Sequence, residues 1–283
     1  MGATRVVTTA AETRLAVLAA KAAGESIGFV PTMGALHRGH LSLVEASQAE
    51  CDRTVVSIFV NPTQFGSGED LGRYPRTLDA DIQLLEELGC ALVFAPTTAE
   101  MRMDNCETYV DVGAVAGPFE GVLRPTHFRG VATVVLKLFQ IVLADRAYFG
   151  QKDYQQALVV KQLVRDLRVP LEVRVQPTVR EPDGLALSSR NAYLSPAQRK
   201  QACCLWQSLQ RAAQMVAAGE KNSAKIIGEI RERLAGCQDV EVEYVAVLEE
   251  GAVREVTTID GPAVAVIAVR IGQTRLIDNH TIC

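Results

Sequence analysis

Two histidines three residues apart, His37 and His40, lie in the segment PTMGALHRGH, directly after the apolar run Ile27-Gly28-Phe29-Val30. At the start of a helix that spacing puts both imidazoles on one face. Free backbone N–H groups and the helix dipole favour an anion at the same place. Gly34 and Gly39 allow the backbone to come close to a ligand. Two imidazoles at a helix N-terminus suit a phosphate that gains charge in a transition state. The alternatives are ordinary surface or core histidines, or a metal pair. A metal needs a third ligand, and His127 and His280 are distant in sequence. The glycine spacing and the strand context favour the phosphate reading.

Three further segments carry weaker signals. Asn61-Pro62-Thr63-Gln64-Phe65 places two carboxamides after the strand-like run Thr54 to Val60. Each carboxamide can donate and accept, which suits a hydroxy acid, although such segments are commonly plain turns. Tyr74 is either a neighbour of that pocket or a packing aromatic. Gly150-Gln151-Lys152-Asp153 again follows a strand and opens a helix. Lys152 offers a point charge to phosphate, Asp153 an oxygen ligand to Mg²⁺, and Gln156 falls on the same helical face. The bland alternative is a salt-bridged helix start. Leu187-Ser188-Ser189-Arg190-Asn191 joins two hydroxyls to a guanidinium, a set able to clamp phosphate oxygens, or else forms a flexible linker.

The elements that must position these residues alternate along the chain. Helices are expected over residues 9–24, 40–49, 78–88, 131–143 and 153–167, and strands over 27–30, 54–60, 91–95, 147–149 and 171–175, with 109–112 a further candidate. Thr9-Ala10-Ala11-Glu12 has capping-box spacing, and Leu15 and Leu18 mark the apolar side of the first helix. Such alternation indicates an α/β fold, a Rossmann-like doubly wound parallel sheet, in which ligands bind beyond the carboxyl ends of the strands. After Val179 the texture changes. A polar loop over 180–191 precedes a helix announced by Ser195-Pro196, a second helix over 223–234, and strands over 240–244, 263–269 and 274–277. The expected division is residues 1–179 as the nucleotide-binding domain and residues 180–283 as a smaller C-terminal α+β lid domain.

The 283 residues include 48% apolar and 22% charged side chains, ordinary globular usage that excludes a mostly disordered chain. A net charge of −4 argues against a broad basic face for nucleic acid. The apolar stretch 131–144 is broken by Lys137 and Gln140 and falls short of the roughly 18 residues of a membrane span. The stretch from Met1 to Gly24 contains Glu12 and reads as a helix rather than a secretory signal. Seven dispersed cysteines without a CxxC favour reduced thiols and a cytoplasmic location. There is no GxxxxGKS/T and no GxGxxG after the first strand, which excludes a P-loop and a dinucleotide fingerprint.

Five ordered blocks then carry a resemblance: PTMGALHRGHLSLV, SIFVNPTQF with its following YPRT, THFRGVATVV, YFGQKDYQQ and VREPDGLALSSRN. Over nearly its whole length the chain resembles the pantoate–β-alanine ligase family of the HIGH-motif nucleotidyltransferase superfamily. The resemblance implies ATP-dependent condensation of pantoate with β-alanine through a pantoyl-adenylate, with Mg²⁺, in a homodimer. It implies an ATP-binding segment at Met33, Gly34, Ala35, Leu36, His37, Arg38, Gly39 and His40, with His37 as proton donor. Further nucleotide contacts fall on Gly150, Gln151, Lys152, Asp153, Val179, Leu187, Ser188, Ser189 and Arg190. Pantoate residues fall on Gln64 and Gln156, with Asn61 and Tyr74 lining the same cleft. Leu187 and Thr63 each stand where methionine is usual in the family.

The chemistry read from the residues agrees with that assignment. A carboxylate must be activated before an amine attacks it, and an anionic carboxylate needs no base to attack a phosphate. The protein then has to position reactants and stabilise charge, without a nucleophilic triad. Rival readings are a cytidylyl- or adenylyltransferase that stops at nucleotide transfer, an aminoacyl-tRNA synthetase fragment, and a nucleotide-binding sensor without activity.

Overall fold

A computed structural model of the chain describes residues 4–283. Met1–Ala3, the start of the stretch read as non-secretory, lie outside the described residues. The chain separates into two compact units. One comprises the residues up to Gly150 together with Gln155–Pro177, the other Gln151–Tyr154 and Thr178–Cys283.

The first unit is built on β1 (Arg5–Val7), α1 (Ala10–Ala22), β2 (Ile27–Thr32), α2 (Arg38–Glu50), β3 (Arg53–Ile58), α3 (Leu78–Glu87), β4 (Leu92–Phe94), α4 (Glu120–Leu123), α5 (His127–Val142), β5 (Arg146–Gly150), α6 (Tyr154–Asp166) and β6 (Glu172–Gln176). The six strands form one parallel sheet in the order β1-β4-β3-β2-β5-β6. Strand alternation sends Phe29, Val55, Phe94 and Phe149 into one core layer with α1, α5 and α6, and Val30, Val56, Val93 and Tyr148 into the opposite layer with α2 and α3. Both faces are therefore covered, as a parallel sheet requires. The strand order reverses between β2 and β5, so the crevice expected for a ligand opens at their carboxyl ends.

Several expectations need correction. Leu15 and Leu18 are exposed, at 69% and 46%. The buried stripe of α1 is Thr13 and Val17, flanked by Ala16 and Ala20, whose small side chains let the helix sit close to its neighbours. The segment 109–112 is not a strand. The Val110 N–H goes to the Thr133 hydroxyl on α5 (3.0 Å), and Tyr109 stacks under Arg129, so this segment lies along a helix. The helix expected over 131–143 begins earlier, at His127, and the short α4 precedes it. The short edge strand β1 was not foreseen.

In the second unit, α7 (Pro196–Ala217) and α8 (Ser223–Ala235) cover the antiparallel sheet of β7 (Val240–Glu249), β8 (Ala263–Ile271) and β9 (Thr274–Thr281). Ser195 and Gln198 close a reciprocal capping box ahead of Pro196. Leu205, Leu209, Ile226, Ile230 and Ile267 form its core. Among the described residues, all seven cysteines are unpaired, and no helix is long and apolar enough to cross a membrane.

Candidate active site

The loop between β2 and α2 carries Met33–Leu36, and His37 is the N-cap of α2. Gly34 and Ala35 both adopt positive φ (81° and 50°), which turns the chain sharply away from the sheet. A side chain at Gly34 would also crowd Asp81 Oδ2, 3.0 Å from the added carbon. Asp81, on α3 and 2% exposed, receives the N–H of Ala35 (3.0 Å) and of Leu36 (2.8 Å), together with the Thr77 hydroxyl (3.2 Å). One buried carboxylate thereby holds the strained turn in place. Sequence reasoning missed Asp81. Its signal was a carboxylate four residues before Leu85, on the buried face of an amphipathic helix.

The two imidazoles face one another, ring centroids 4.1 Å apart. His37 Nδ1 accepts the Gly39 N–H (3.1 Å), and His40 Nδ1 accepts the His37 N–H (3.4 Å). A backbone N–H can only donate, so in both neutral rings the proton sits on Nε2. Each imidazole is thus set up as a hydrogen-bond donor through Nε2. Arg38, by contrast, is drawn along α2 into an ion pair with Glu45 (2.6 Å).

Asn61, 1% exposed, caps the short 3₁₀ turn Pro62–Gln64. Its Nδ2 donates to Gln64 Oε1 (3.0 Å) and to the Gly130 carbonyl (3.2 Å), and Gln64 Nε2 lies 2.9 Å from Met33 Sδ. The structure therefore brings Met33, Asn61 and Gln64 together. Gly130 permits this: a Cβ there would stand 2.3 Å from the Thr63 carbonyl oxygen. Tyr74 is buried and meets Phe65 edge to face at 5.8 Å. Gln156 is half-buried in the first turn of α6.

Beneath Gln64 lies a second group that the sequence did not announce. Its backbone carbonyl accepts from His127 Nδ1 (2.8 Å) and from Arg124 Nη2 (3.2 Å). Arg124 also forks onto Glu69 (2.7 and 2.6 Å), and its Nη1 is 3.2 Å from His127 Nε2. A carbonyl accepts and a guanidinium donates, so His127 carries its proton on Nδ1. Burial, reinforced by the Arg124 charge, pushes His127 down to about 4, so it stays neutral. Burial alone would raise the Glu69 carboxyl, but Arg124 holds it below its ordinary value.

Gly150 ends β5, and Gln151–Asp153 form a 3₁₀ turn ahead of α6. Lys152 Nζ is 3.8 Å from the Asp153 carboxylate, whose side chain is 47% exposed. Among the described residues no three His, Cys, Asp or Glu side chains cluster to cage a metal ion. Mg²⁺ asks for less, since one or two carboxylates plus substrate phosphates hold it. The exposed Asp153 oxygen atoms fit that requirement.

Within the second unit, Leu187 N–H donates to the Val179 carbonyl (3.0 Å), and Arg180 bridges Ala186, so Val179 and Leu187 are neighbours across a small hairpin. Ser188 then caps the turn Ser189–Tyr193, its hydroxyl accepting the Arg190 N–H (3.3 Å).

The family model described as Pantoate-beta-alanine ligase matches residues 5–281. The chain belongs to this family. It is 52% identical over 277 residues to the pantothenate synthetase of Chloroflexus aggregans, covering 97% of this chain and 98% of that protein. The enzyme of Roseiflexus sp. (strain RS-1) is 50% identical over 275 residues, with the same coverage. Among solved structures, pantothenate synthetase from Thermus thermophilus superposes with a TM-score of 0.93 at 46% identity, over 98% of this chain and 99% of that one. A pantoate-beta-alanine ligase from Francisella tularensis, solved with beta-gamma ATP and beta-alanine, gives 0.82 at 33% identity, over 99% and 98%.

Proposed function

We propose that this protein is an AMP-forming ligase that condenses pantoate with β-alanine at the expense of ATP. The observation that carries the reading is the loop after β2. At the reversal point of the sheet it presents two imidazoles whose tautomers are set to donate from Nε2, and the whole chain belongs to a family named for this reaction.

The pantoate carboxylate attacks the α-phosphorus of ATP, forming a P–O bond as the bond to pyrophosphate breaks. The amine of β-alanine then attacks the acyl carbon, loses a proton, and AMP departs with the C–O bond electrons. Negative charge grows on phosphate oxygens in both steps, so fixed donors that need no reorganisation lower the barrier. His37 and His40 supply such donors, with Lys152 and Arg190 as cations. Met33–Arg38 and Gly39 bind ATP with Gly150, Gln151, Val179, Leu187, Ser188 and Ser189. Asp153 would hold Mg²⁺, which when bound screens phosphate charge. Gln64 and Gln156 bind pantoate, with Asn61 and Tyr74 bordering them. A homodimer in the cytoplasm completes the proposal, and a hydrodynamic mass of one chain would overturn the dimer.

The test supplies ATP, Mg²⁺, pantoate and β-alanine and looks for pantothenate by mass spectrometry. Release of AMP that requires both acid and amine supports the reading. Pyrophosphate release without any pantothenate would assign the protein instead to simple nucleotidyl transfer.

A further inference from the structure

The turn that carries Lys152 is held from the far end of the sequence. Asn279, on β9 and 3% exposed, donates from Nδ2 to the carbonyls of Gln151 (2.9 Å) and Lys152 (3.0 Å). Carbonyls only accept, so the amide nitrogen must face them and its orientation is decided by its partners. The price is visible on the other side of the same amide, because Asn279 Oδ1 is buried without a hydrogen-bond partner. Both donations go to two successive peptide groups of one short turn.

Asn279 is itself anchored. Its N–H donates to Asp278 Oδ1 (2.8 Å), and its carbonyl accepts from Arg180 Nη2 (3.1 Å). Arg180 forks onto the Asp278 carboxylate (2.6 and 2.9 Å), whose side chain is 1% exposed. The same guanidinium lies over the Trp206 ring at 3.7 Å and donates to the Gly184 carbonyl (3.1 Å). Arg180 also opens the small hairpin that pairs Val179 with Leu187. Every member of this network belongs to the second unit. One buried hub therefore ties the Gln151–Lys152 turn to the segment that leads into Ser188–Arg190.

We propose that Asn279 is a positioning residue for Lys152: by pinning the peptide groups on which the ammonium is carried, it sets where that charge meets the nucleotide. The inference rests on the reading of Lys152 as a phosphate ligand. A side chain on a four-carbon stem is only as well placed as its backbone, and displacements of about 1 Å are costly in a charge-stabilised reaction.

The test is a double-mutant cycle on the full chain, read as pyrophosphate formation from ATP and pantoate. Lys152→Ala should lower kcat/KM for ATP by roughly a hundredfold. Asn279→Ala should lower it by about tenfold or more, with the KM for β-alanine within about twofold. In the Lys152→Ala background, Asn279→Ala should change kcat/KM for ATP by less than about twofold, because the group it positions is gone. A loosened fold would lower activity by the same factor in both backgrounds, and that additivity overturns the proposal. So does an Asn279→Ala enzyme with unaltered ATP kinetics. A Lys152→Ala enzyme of normal activity overturns the Lys152 reading and, with it, the inference. If Asn279→Ala fails to fold, Asn279→Ser, which keeps one shorter donor, enters the same cycle under the same criteria.

Discussion

Replacing Gly130 by alanine should push the Asn61–Gln64 turn off its seat. The added Cβ would lie 2.3 Å from the Thr63 carbonyl oxygen, 2.5 Å from its carbon and 2.8 Å from the Gln64 nitrogen. These are backbone atoms and cannot rotate away. An ordinary carbon–oxygen contact is about 3.3 Å, so the turn must retreat by roughly 1 Å. That motion breaks the Asn61 bond to the Gly130 carbonyl and carries Gln64 with it. A misplacement of that size costs about a hundredfold in rate, or about 2.7 kcal/mol. The assay is steady-state AMP release with pantoate varied at saturating ATP and β-alanine. The expected result is a fall of about two orders of magnitude in kcat/KM for pantoate, with the KM for ATP within about threefold. Overpacking should also cost about 1–3 kcal/mol of stability. Gly228→Ala is the control: it lies on the exposed face of α8 with nothing within 4 Å of the added carbon, and should leave activity intact. A folded Gly130→Ala enzyme with unchanged pantoate kinetics would refute the link between this contact and Gln64.

Three other outcomes are expected. His37→Ala should lower turnover by roughly two orders of magnitude, measured by pyrophosphate release, and near-normal turnover would remove it from the phosphate site. Asp81→Asn turns one acceptor into a donor facing the N–H of Ala35 or Leu36. It should raise the KM for ATP by about tenfold and lower stability by about 1–3 kcal/mol in urea unfolding, whereas an unaltered KM would show that the turn holds without it. His127 is neutral when folded down to about pH 4, whereas the unfolded chain takes up that proton near its ordinary value of 6.5. The unfolded state therefore binds more protons between these values, so stability rises with pH across the window and falls by up to about 3 kcal/mol as pH drops through it. His127→Gln should flatten that dependence in unfolding titrations, and an equally steep profile would exclude His127 as its source.

Most of the sheet was legible because its strands are continuous β-branched or aromatic runs separated by helical periods. Ile27–Val30 and Thr54–Val60 announce themselves in this way. β1 escaped because it is three residues long, Arg5–Val7, and pairs on one side only with β4. The alternation over 240–244 predicts only the first half of β7, which runs on to Glu249 through the buried run Val245–Leu248. Leu15 and Leu18 misled because large apolar residues look like core, whereas close packing of α1 asked for Ala16 and Ala20. In the site, the loop residues could be found because their types and spacing are local. Their supports could not. Asp81 lies about 45 positions from the N–H groups it receives, and Asn279 about 127 from the carbonyls it pins. Asp81 also shares the first turn of its helix with Asp79, where acidic residues are ordinary on dipole grounds alone.

Three of the four histidines show how backbone partners, rather than residue type, assign chemical roles in this protein. His37 and His40 each face a backbone N–H through Nδ1, which leaves Nε2–H as the donor. His127 faces a carbonyl through the same atom, which places its proton on Nδ1 and turns Nε2 into an acceptor for Arg124. The first arrangement equips a ring to meet an anion. The second consumes both nitrogens internally and converts the ring into a rigid strut under Gln64. Motif spacing distinguishes these cases only because a helix N-terminus supplies N–H groups to whatever caps it. His127 is the first residue of α5, one past its N-cap Thr126, and its ring reaches a carbonyl 63 residues away. Its tautomer thus follows from a tertiary contact, whereas its neutrality comes from burial and the neighbouring Arg124 charge, which outweigh the bond to the Gln64 carbonyl.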